Sequence, residues 1–502
     1  MTAKAKEKGR YMTTVHRREL SAGKMLLVAM FAAGSLIVSG AESAQKTEPS
    51  GVKFSAGYHR IDVTPPLGVP LSGYYSRRAM VGVLDPLHAT CLAFSDGENK
   101  AVVVALDNLQ VYETVIAQMK AAITEKTGLP AEAIFIHASH IHTGPAVVAK
   151  GVCVKEGDEP IIKLSNEILI SRLSDGVKYA LDDLAPAKML IGRGEAKDIS
   201  FIRRYKMKDG TTRTNPGVNN PNIDHPIGQP DEQVQLVRFV REGKKEIALL
   251  NFQCHPDVIG GNKCSADWPG LACRYLEQAF GGNIDAILIN GAQGDTNHVK
   301  TNRKVNDPAK RKGYEMSKHM ARTVAGSALQ IWGNCEPVPA GRITYGMRNV
   351  RIDSHRGKPE ELPLAHKYVE LHKSGRGSEI PATGMLHTTL VAGAYRMVEL
   401  EHGPDHFDMS VSSVAIGTTL AFAGFPGEPF TWMGCEVKAK SPFTMTMPAC
   451  TTNGSRGYFP VASAYEEGGY EAATSRFAPG TAERLVDGQL EQLKALYGAA
   501  AK

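Results

Sequence analysis

Short apolar runs alternate with longer amphipathic segments along most of this chain of 502 residues. The runs are rich in Val, Ile, Leu and Ala, which is typical of buried strands. They predict strands at 101–106, 134–137, 247–252, 286–289 and 418–424. Between them, apolar positions at helical spacing predict helices at 114–126, 167–184, 269–280, 307–332 and 481–497. This alternation favours an α/β fold with a mixed β-sheet core flanked by helices.

One internal segment, 210–230, has neither pattern. It is rich in Gly, Pro and Asn, and it predicts a long loop. The sequence contains no internal repeat, and no clear linker divides it after residue 41. We therefore expect one large catalytic domain at 42–502.

The N-terminal segment has the three-part pattern of an export signal. Seven Lys and Arg residues lie within positions 1–24, an apolar core follows at 25–38, and small residues occupy 39–41. The pattern predicts a signal peptide at 1–41 and an exported protein, periplasmic or secreted. An uncleaved anchor is the alternative. No later stretch is apolar enough over a sufficient length to cross a membrane.

The net charge bears on which partners the chain can bind, and the cysteine content bears on whether it can form disulfides. The formal net charge is +6. Removal of residues 1–41, with seven basic and two acidic side chains, leaves +1, and this argues against nucleic acid as a partner. Eight cysteines follow residue 41. Export would permit disulfides, although the spacing selects no pairing. Nothing in the sequence selects an oligomeric state.

Polar side chains follow four of the predicted strands at the points where the strands end, which is where α/β folds place their chemistry. His140 and His142 follow the second strand, His255 the third, Asp295 the fourth and Glu428 the fifth. In an extended chain, side chains two residues apart share a face, so His140 and His142 would point at one spot. A hydrolytic zinc site needs about three nitrogen or oxygen ligands and a water position. His140, His255 and Glu428 would supply such a set.

Each of these residues also has a plain structural interpretation. The two histidines after the second strand could be surface residues on a loop. His255, which precedes Pro256, could be a core histidine bonded to backbone. Glu428 could cap a helix that begins at Pro429, and Asp295 could be a turn residue. The four strand ends taken together favour the metal site.

The same residues resemble a known family, the neutral/alkaline (non-lysosomal) ceramidases, in their N-terminal catalytic domain. The opening Arg60-Ile61-Asp62-Val63-Thr64-Pro65 resembles the R-x-D-I-T start of that family. The run from Ser139 to Pro145 resembles its T-H-T-H-S-G-P signature, and Phe425-Pro426-Gly427-Glu428 resembles its L-P-G-E. The resemblance extends to about Glu471. It implies a zinc-dependent N-acyl amidohydrolase.

Roles for individual residues follow from this resemblance. It implies a zinc ion held by His140, His255, Glu428 and Tyr458, with His142 beside the metal as a catalytic acid or base. Tyr458 and Tyr470 keep the family's spacing of twelve residues. Tyr470 would bond the substrate carbonyl or the oxyanion. Arg204 matches a substrate-binding arginine, and its neighbour Arg203 is the alternative.

The chain also departs from the family pattern. The family box G-D-V-S-P-N reads Gly294-Asp295-Thr296-Asn297-His298-Val299 here, so it offers no serine nucleophile. The chain ends soon after the helix predicted at 481–497, so we expect the family's C-terminal immunoglobulin-like domain to be absent. The segment 356–384 looks distinct as well.

These observations predict an exported zinc-dependent amidohydrolase. It would cleave an N-acyl amide bond in a ceramide-like or related substrate, either a small molecule or a lipid-like acyl compound. Two alternatives remain open: an exported esterase or deacylase acting on acylated glycans or sugars, and a non-catalytic binding protein with the same fold. The complete ligand set argues against the binding protein.

Overall fold

The computed structural model describes residues 53–301 and 312–502. The signal peptide predicted at 1–41 and the first residues of the helix predicted at 307–332 lie outside this part of the chain. The strands of the described residues are β1 (Ser55–Asp62), β2 (Gly82–Val83), β3 (His88–Ser95), β4 (Lys100–Leu106), β5 (Ile134–Ala138), β6 (Ala185–Glu195), β7 (Phe201–Ile202), β8 (Arg204–Met207), β9 (Thr212–Thr214), β10 (Ile223–Pro226), β11 (Gln233–Arg241), β12 (Glu246–Phe252), β13 (Lys263–Cys264), β14 (Ile284–Asn290), β15 (Thr296–Asn297), β16 (Glu336–Val338), β17 (Ile343–Asp353), β18 (His406–Ile416), β19 (Leu420–Gly424), β20 (Glu428–Pro429), β21 (Met445–Ala449) and β22 (Tyr458–Phe459). The α-helices are α1 (Glu113–Thr127), α2 (Glu159–Asp182), α3 (Asp267–Ala279), α4 (Tyr314–Trp332), α5 (Leu362–Lys373), α6 (Gly384–Leu400), α7 (Thr431–Lys440), α8 (Ala462–Glu467), α9 (Tyr470–Thr474) and α10 (Thr481–Ala500).

A nine-stranded mixed sheet forms the centre of the fold. Its order is β14-β12-β11-β6-β1-β3-β4-β5, with β16 paired to β6. The pairs β4–β5 and β12–β14 are parallel, and the other pairs are antiparallel. The sheet divides into two halves, because β1 and β6 pair only at Ser55 with Pro186 and at Ala56 with Ala185. This mixed sheet confirms the predicted fold class.

A second sheet covers one face of the first. It has four strands in the order β17-β18-β19-β21, of which only the β19–β21 pair is parallel. The two sheets meet through aromatic side chains: the ring of Phe422 lies 6.2 Å from that of Phe94 and 5.9 Å from that of Phe135. Helices α1 to α4 pack on the other face of the large sheet, while α7 and α10 pack on the outer face of the second sheet. The result is four layers, with helices outside and sheets inside.

This layering explains why the strands read as continuous apolar runs. In β4, Val103 and Ala105 face the second sheet, whereas Val102, Val104 and Leu106 face the helices. Both faces are buried from Ala101 to Leu106, and every position in that stretch is apolar. All five predicted strands are confirmed within two residues at each end. The second sheet and its long strand β18 were not predicted from the sequence.

The predicted helices are confirmed within the described residues, and two of them begin two or more residues before the predicted start. Helix α2 begins at Glu159 rather than 167, and α3 begins at Asp267 rather than 269. A proline in the first turn of α2 is compatible with the helix because the first N–H groups have no intrahelical partner. The part of α4 within the described residues begins at Tyr314.

The prediction of a long loop at 210–230 was wrong at 212–214 and 223–226, while the rest of the segment consists of turns and irregular chain. Strands β9 and β10 lie within this segment, and both pair with β8 in a three-stranded sheet. They are too short to show a hydrophobic period, and β10 is mostly exposed. Backbone pairing with β8 therefore decided a structure that local composition did not indicate.

The structure also bears on disulfide formation and on membrane-spanning helices. All eight cysteines are free thiols, and six of them are buried. Within the described residues, no helix combines the length and the apolar character that a membrane span requires.

Candidate metal-binding active site

The site lies where the two halves of the large sheet come together at strand ends. His137, in β5, accepts a hydrogen bond at Nε2 from the backbone N–H of Asn290 at 3.0 Å, at the end of β14. Its Nδ1 lies 2.7 Å from the carbonyl oxygen of Cys450, just after β21, and donates to it. His137 thus joins three strand ends from both sheets. It is a structural histidine beneath the site.

His140 reaches the site through an unusual backbone conformation. Its φ is +71°, in the left-handed region that non-glycine residues seldom adopt. The conformation is held by the loop after β4: the His140 N–H donates to the carbonyl of Asn108 at 2.8 Å, and its Nδ1 lies 2.9 Å from the carbonyl of Leu109. Strand β5 ends at Ala138, so His140 and His142 do not lie in an extended chain as the sequence analysis expected. His140 and His142 still meet, with ring centroids 5.4 Å apart.

Three imidazole rings converge. His140, His142 and His255 each offer one ring nitrogen, and these nitrogens all lie within 4.8 Å of one another. His142 Nε2 is 2.9 Å from His255 Nε2. This largely buried group could hold a metal ion. The backbone at Gly73 packs closely against His142. Gly73 has a φ of +108°, and a Cβ added there would lie 2.8 Å from the His142 ring.

Glu428 and Tyr458 are brought to the histidines by backbone pairing. Strands β20 and β22 run parallel, with Glu428 in register with Tyr458. The Tyr458 phenol helps to lower the pKa of the Glu428 carboxyl. Oε2 of Glu428 lies 3.1 Å from His140 Nε2 and 3.8 Å from His255 Nδ1. Helix α7 begins only at Thr431, so Glu428 belongs to a strand and does not cap that helix.

These donors fit a divalent metal ion. A carbonyl oxygen can only accept, so Nδ1 of His140 carries a proton and Nε2 faces the carboxylate oxygen. That contact is favourable only with a cation between the two atoms, either a second ring proton or a metal ion. Glu428 Oε2 is buried and has no hydrogen-bond partner among the described residues. Such an atom normally has a partner, and a metal ligated by imidazole and carboxylate would satisfy it.

Burial and charge shift the titration of these groups. Burial lowers the pKa of His142 to about 4. Burial, reinforced by the nearby Arg203, lowers the pKa of His255 well below its usual value. Burial alone would raise the pKa of Glu428, but His140 and Arg203 hold it below the ordinary glutamate value. His142 and His255 are thus favoured as neutral imidazoles and Glu428 as an ionised carboxylate, which are the forms that bind metals.

Two adjacent arginines take different places. Arg203 is buried, with Nε 2.7 Å from Glu471 Oε1 and Nη1 3.4 Å from His255 Nδ1. Arg204 instead bonds Glu467 and the carbonyl of Gly468, both at 2.9 Å. It lines a second cavity of about 610 Å³. A substrate-binding role for Arg204 would therefore have to be exerted from that second cavity.

A cavity of about 310 Å³ adjoins the histidines. Tyr470 lines it, with its ring 5.6 Å from that of Tyr458 and its hydroxyl 3.2 Å from that of Tyr75. Burial raises the pKa of Tyr470 well above its usual value, so the hydroxyl stays protonated and can donate. This cavity is where an acyl group could approach the cluster.

A carboxylate that sequence reasoning did not assign lies behind His142. Asp257 Oδ1 is 3.8 Å from His142 Nδ1. The same oxygen accepts hydrogen bonds from the hydroxyl of Tyr74 and from Lys312 Nζ. The only signal in the sequence is its position two residues after His255. Tyr74 and Tyr75 give no local signal, because they come from a loop distant in sequence from every cluster.

Asp295, in the box at 294–299, holds the segment that follows Glu428. Asp295 accepts hydrogen bonds from the backbone N–H and the hydroxyl of Thr431, both at 2.8 Å. It thereby fixes the start of α7, just after Glu428. Burial raises the pKa of Asp295. This residue is neither a simple turn residue nor a member of the histidine cluster.

Comparison with known proteins identifies the family and the fold of this chain. Residues 54–326 match the family described as neutral/alkaline non-lysosomal ceramidase, N-terminal. The fold is similar to the crystal structure of a neutral ceramidase from Pseudomonas aeruginosa, with a TM-score of 0.68 and 16% sequence identity, over 89% of this chain and 75% of that one. A ceramidase described as complexed with C2 matches with a TM-score of 0.66 and 14% identity, over 89% of this chain and 76% of that one. At these identities, the two structures establish the fold alone.

Proposed function

Because this chain belongs to the neutral/alkaline non-lysosomal ceramidase family, we propose that it is an exported zinc-dependent amidohydrolase that cleaves an N-acyl amide bond with a metal-activated water. The convergence of His140 and His255 on one buried oxygen of Glu428 carries the proposal. These three residues and Tyr458 would hold the ion. Zinc is suited to the imidazole nitrogens and to the carboxylate and phenolate oxygens that these residues offer.

Bound zinc would lower the pKa of a coordinated water towards about 7 and polarise the scissile carbonyl. His142 lies beside the proposed ligands but faces Asp257 with its other nitrogen. It would accept the proton of the attacking water and pass it to the leaving nitrogen. The hydroxyl of Tyr470 would donate a hydrogen bond to the developing oxyanion.

Arg203 supports this arrangement as a positioning residue. Its guanidinium bridges Glu471 and the carbonyl of Gly294, at 2.7 and 2.8 Å. Its guanidinium carbon also lies 5.3 Å from the centroid of the Tyr458 ring, over the ring face. These contacts would keep the phenol aligned with Glu428.

Metal analysis of single variants tests the proposal. We expect about one zinc per chain in the wild type, and loss of that zinc in His140→Ala and in His255→Ala, because each change removes one of four ligands. His225→Ala is the matched control, since the His225 side chain is 61% exposed. Full zinc content in both site variants would refute the ligand set.

A matched pair of substrates separates the amidase from the esterase alternative. An amide and an ester with the same acyl group should both be cleaved by one metal site. We expect His142→Ala to slow the amide more, because an amine must be protonated as it leaves whereas an alkoxide is a better leaving group. Turnover of the ester alone by the zinc-loaded wild type would favour the esterase.

A further inference from the structure

A second phenol lies beside the hydroxyl of Tyr470. The Tyr470 hydroxyl is 3.2 Å from the hydroxyl of Tyr75, and either oxygen can be the donor of this hydrogen bond. Both residues line the catalytic cavity. Tyr75 belongs to the segment between β1 and β2, 395 positions earlier in the chain. Only tertiary packing therefore brings the two hydroxyls together.

An anion in the cavity would fix the direction of this hydrogen bond. A phenol at neutral pH carries one proton, so it can donate one hydrogen bond while its oxygen accepts another. An oxyanion can only accept. When an oxyanion lies beside Tyr470, the Tyr470 proton points to it, and the Tyr470 oxygen is left to accept the proton of Tyr75. The order of donation is then from Tyr75 to Tyr470 to the oxyanion.

Donation from Tyr75 would make Tyr470 a better donor. In a chain of hydrogen bonds shielded from water, each bond polarises the next, so a hydroxyl that accepts one bond donates the other more strongly. The same bond restrains the Tyr470 side chain, so that its hydroxyl is in place before charge develops. Donors that are preorganised in this way stabilise the transition state without having to reorient.

The Tyr75 side chain is itself held by the segment that carries α5 and α6. It packs against an apolar cluster formed by Leu371 in α5, Ile380, and Val391 in α6. Each of the three is at most 4% exposed. Leu371 and Ile380 lie within 356–384, the segment that looks distinct from the family pattern. That segment therefore backs one wall of the catalytic cavity.

A bidentate ion pair fixes the chain on the other side of Tyr75. Arg77 donates from Nε and Nη2 to the two carboxylate oxygens of Asp158, at 2.8 and 2.6 Å. Asp158 immediately precedes α2. Planar pairs of this kind fix orientation as well as adding energy. The chain is thus anchored two residues from Tyr75.

Helix α6 also holds the backbone that carries Tyr470. Arg396 of α6 donates from Nε to the carbonyl oxygen of Ala473 in α9, at 3.1 Å. Tyr470 is the first residue of α9. The same helix therefore supports both phenols, Tyr75 through apolar packing and Tyr470 through this hydrogen bond.

We infer that Tyr75 is a positioning residue of this reaction: it donates a hydrogen bond to the Tyr470 oxygen and thereby directs the Tyr470 proton at the oxyanion. The inference rests on the proposed function, because it assigns a partner to the oxyanion donor named there. Tyr75 acts through Tyr470 and not on the metal. Its contribution to kcat should therefore exist only while the Tyr470 hydroxyl is present.

A double-mutant cycle tests this dependence. The quantities measured are kcat, KM and zinc content on one N-acyl substrate, for the wild type, Tyr75→Phe, Tyr470→Phe and the double variant. We expect Tyr75→Phe to lower kcat by roughly 2- to 10-fold, the range for one neutral hydrogen bond, with KM and zinc content unchanged. In the Tyr470→Phe background, the same change should leave kcat unaltered. An equal loss in both backgrounds, or loss of zinc, would overturn the inference.

Tyr395→Phe is the matched control for removal of a hydroxyl. Tyr395 packs against the same apolar cluster as Tyr75, but its hydroxyl lies 3.1 Å from His372 Nδ1 and does not line the cavity. We expect kcat and KM of this variant to equal those of the wild type. A loss as large as that in Tyr75→Phe would assign the effect to the cluster as a whole, and the role of the Tyr75 hydroxyl would be refuted.

Packing behind Tyr75 provides an independent test. Leu371→Ala removes a side chain of the cluster, whereas Leu400→Ala removes a similarly buried leucine of α6 that lies outside it. Both changes should lower stability, but only Leu371→Ala should lower kcat in the folded protein. That loss should vanish in the Tyr75→Phe background, where there is no hydroxyl to misplace. A loss of the same size in that background would contradict the inference.

The outcomes separate this inference from the proposed function. Release of amine by the zinc-loaded wild type, with equal kcat in Tyr75→Phe, would leave the amidohydrolase intact and overturn the role of Tyr75. Wild-type kcat in Tyr470→Phe would remove the oxyanion donor and the role of Tyr75 together. No release of amine by the wild type from any N-acyl substrate would overturn the proposed function itself, and the role of Tyr75 with it.

Discussion

At the scale of single residues, His142 differs from the other two histidines in what it faces. His140 and His255 both approach Glu428. His142 approaches His255 on one side and Asp257 on the other. The Asp257 carboxylate lies 3.8 Å from His142 Nδ1, beyond hydrogen-bond distance, but its negative charge favours a proton on the ring and so suits His142 to move a proton. The same three rings can also be grouped as three ligands, so the distinction needs a direct test.

His142→Ala should keep zinc and fold but lose turnover. We expect kcat to fall by roughly 10²- to 10⁴-fold, as for loss of a general acid or base, with a smaller change in KM because the lost interaction matters most in the transition state. Zinc content, kcat and KM on one N-acyl substrate provide the measurement. Loss of the metal together with the activity would make His142 a ligand.

Tyr470→Phe should also lower kcat, but through loss of an oxyanion donor rather than of a general acid or base. The change deletes one hydroxyl and leaves the ring packed near Tyr458. Loss of one oxyanion donor costs roughly 10²- to 10³-fold in kcat. Tyr465→Phe is a control, since its hydroxyl bonds the carbonyl of Phe477 rather than lining the cavity. Near-normal kcat in Tyr470→Phe would remove this tyrosine from the mechanism.

At the scale of elements, two very short strands align the carboxylate and the phenol. Pairing of β20 with β22 places Glu428 beside Tyr458, although thirty positions of sequence separate them. The packing around this pair leaves no spare room. An added Cβ at Gly427 would lie 2.4 Å from the carbonyl oxygen of Gly457 and 2.7 Å from the Phe459 ring.

Gly427→Ala should therefore weaken metal binding without touching a ligand. We expect a loss of roughly 10- to 100-fold in zinc affinity, the usual effect of disturbing groups that orient ligands. Gly326→Ala is the matched control, because an added Cβ there meets nothing within 4 Å. Competition with a chelator gives the affinities. Equal affinity in the two variants would show that the β20–β22 register does not control the site.

The outer helix α10 should contribute to stability but not to chemistry. Leu493 is fully buried against the second sheet, on the face away from the metal cluster. Leu493→Ala should lower the free energy of unfolding by roughly 2–5 kcal/mol, with kcat unchanged below the transition. The exposed neighbour Lys494 offers a control, expected within about 0.5 kcal/mol of wild type. Denaturant unfolding measures both, and a large loss of kcat in folded Leu493→Ala would contradict the separation of roles.

At the scale of the whole molecule, the question is where the chain acts. The residues that suggest export lie at 1–41, outside the described residues. If the signal is cleaved, the mature chain carries a net charge close to zero. Eight free thiols, mostly buried, would then rely on burial for protection, and burial raises the pKa of Cys91, Cys254, Cys273 and Cys450 to about 12.

Expression of the full chain in a host that recognises such signals tests export. We expect a mature N-terminus near Glu42 in the periplasmic or secreted fraction, because small residues precede that position. N-terminal sequencing supplies the measurement, and replacing Leu36 and Ile37 in the apolar core by lysine supplies the control. Recovery of an intact chain with the membranes would indicate an anchor instead.

Local sequence was sufficient for much of this protein. Apolar runs located the strands that end at the site, because strands buried on both faces are mostly apolar. The signature around His140 and His142, and the resemblance it carries, indicated the family. These features are readable because each depends on residues close together in sequence.

Only the tertiary structure decided the rest. The second sheet could not be inferred, since a strand covered by a sheet has the same apolar pattern as one covered by helices. The proximity of His140 to His255 depends on contact between the two halves of the large sheet. It also depends on the left-handed backbone conformation of His140. The partners Asp257, Tyr75 and Arg203 come from loops and short strands whose positions are fixed by packing between distant segments. Sequence thus determined which chemical groups are present, while long-range packing decided which of them meet.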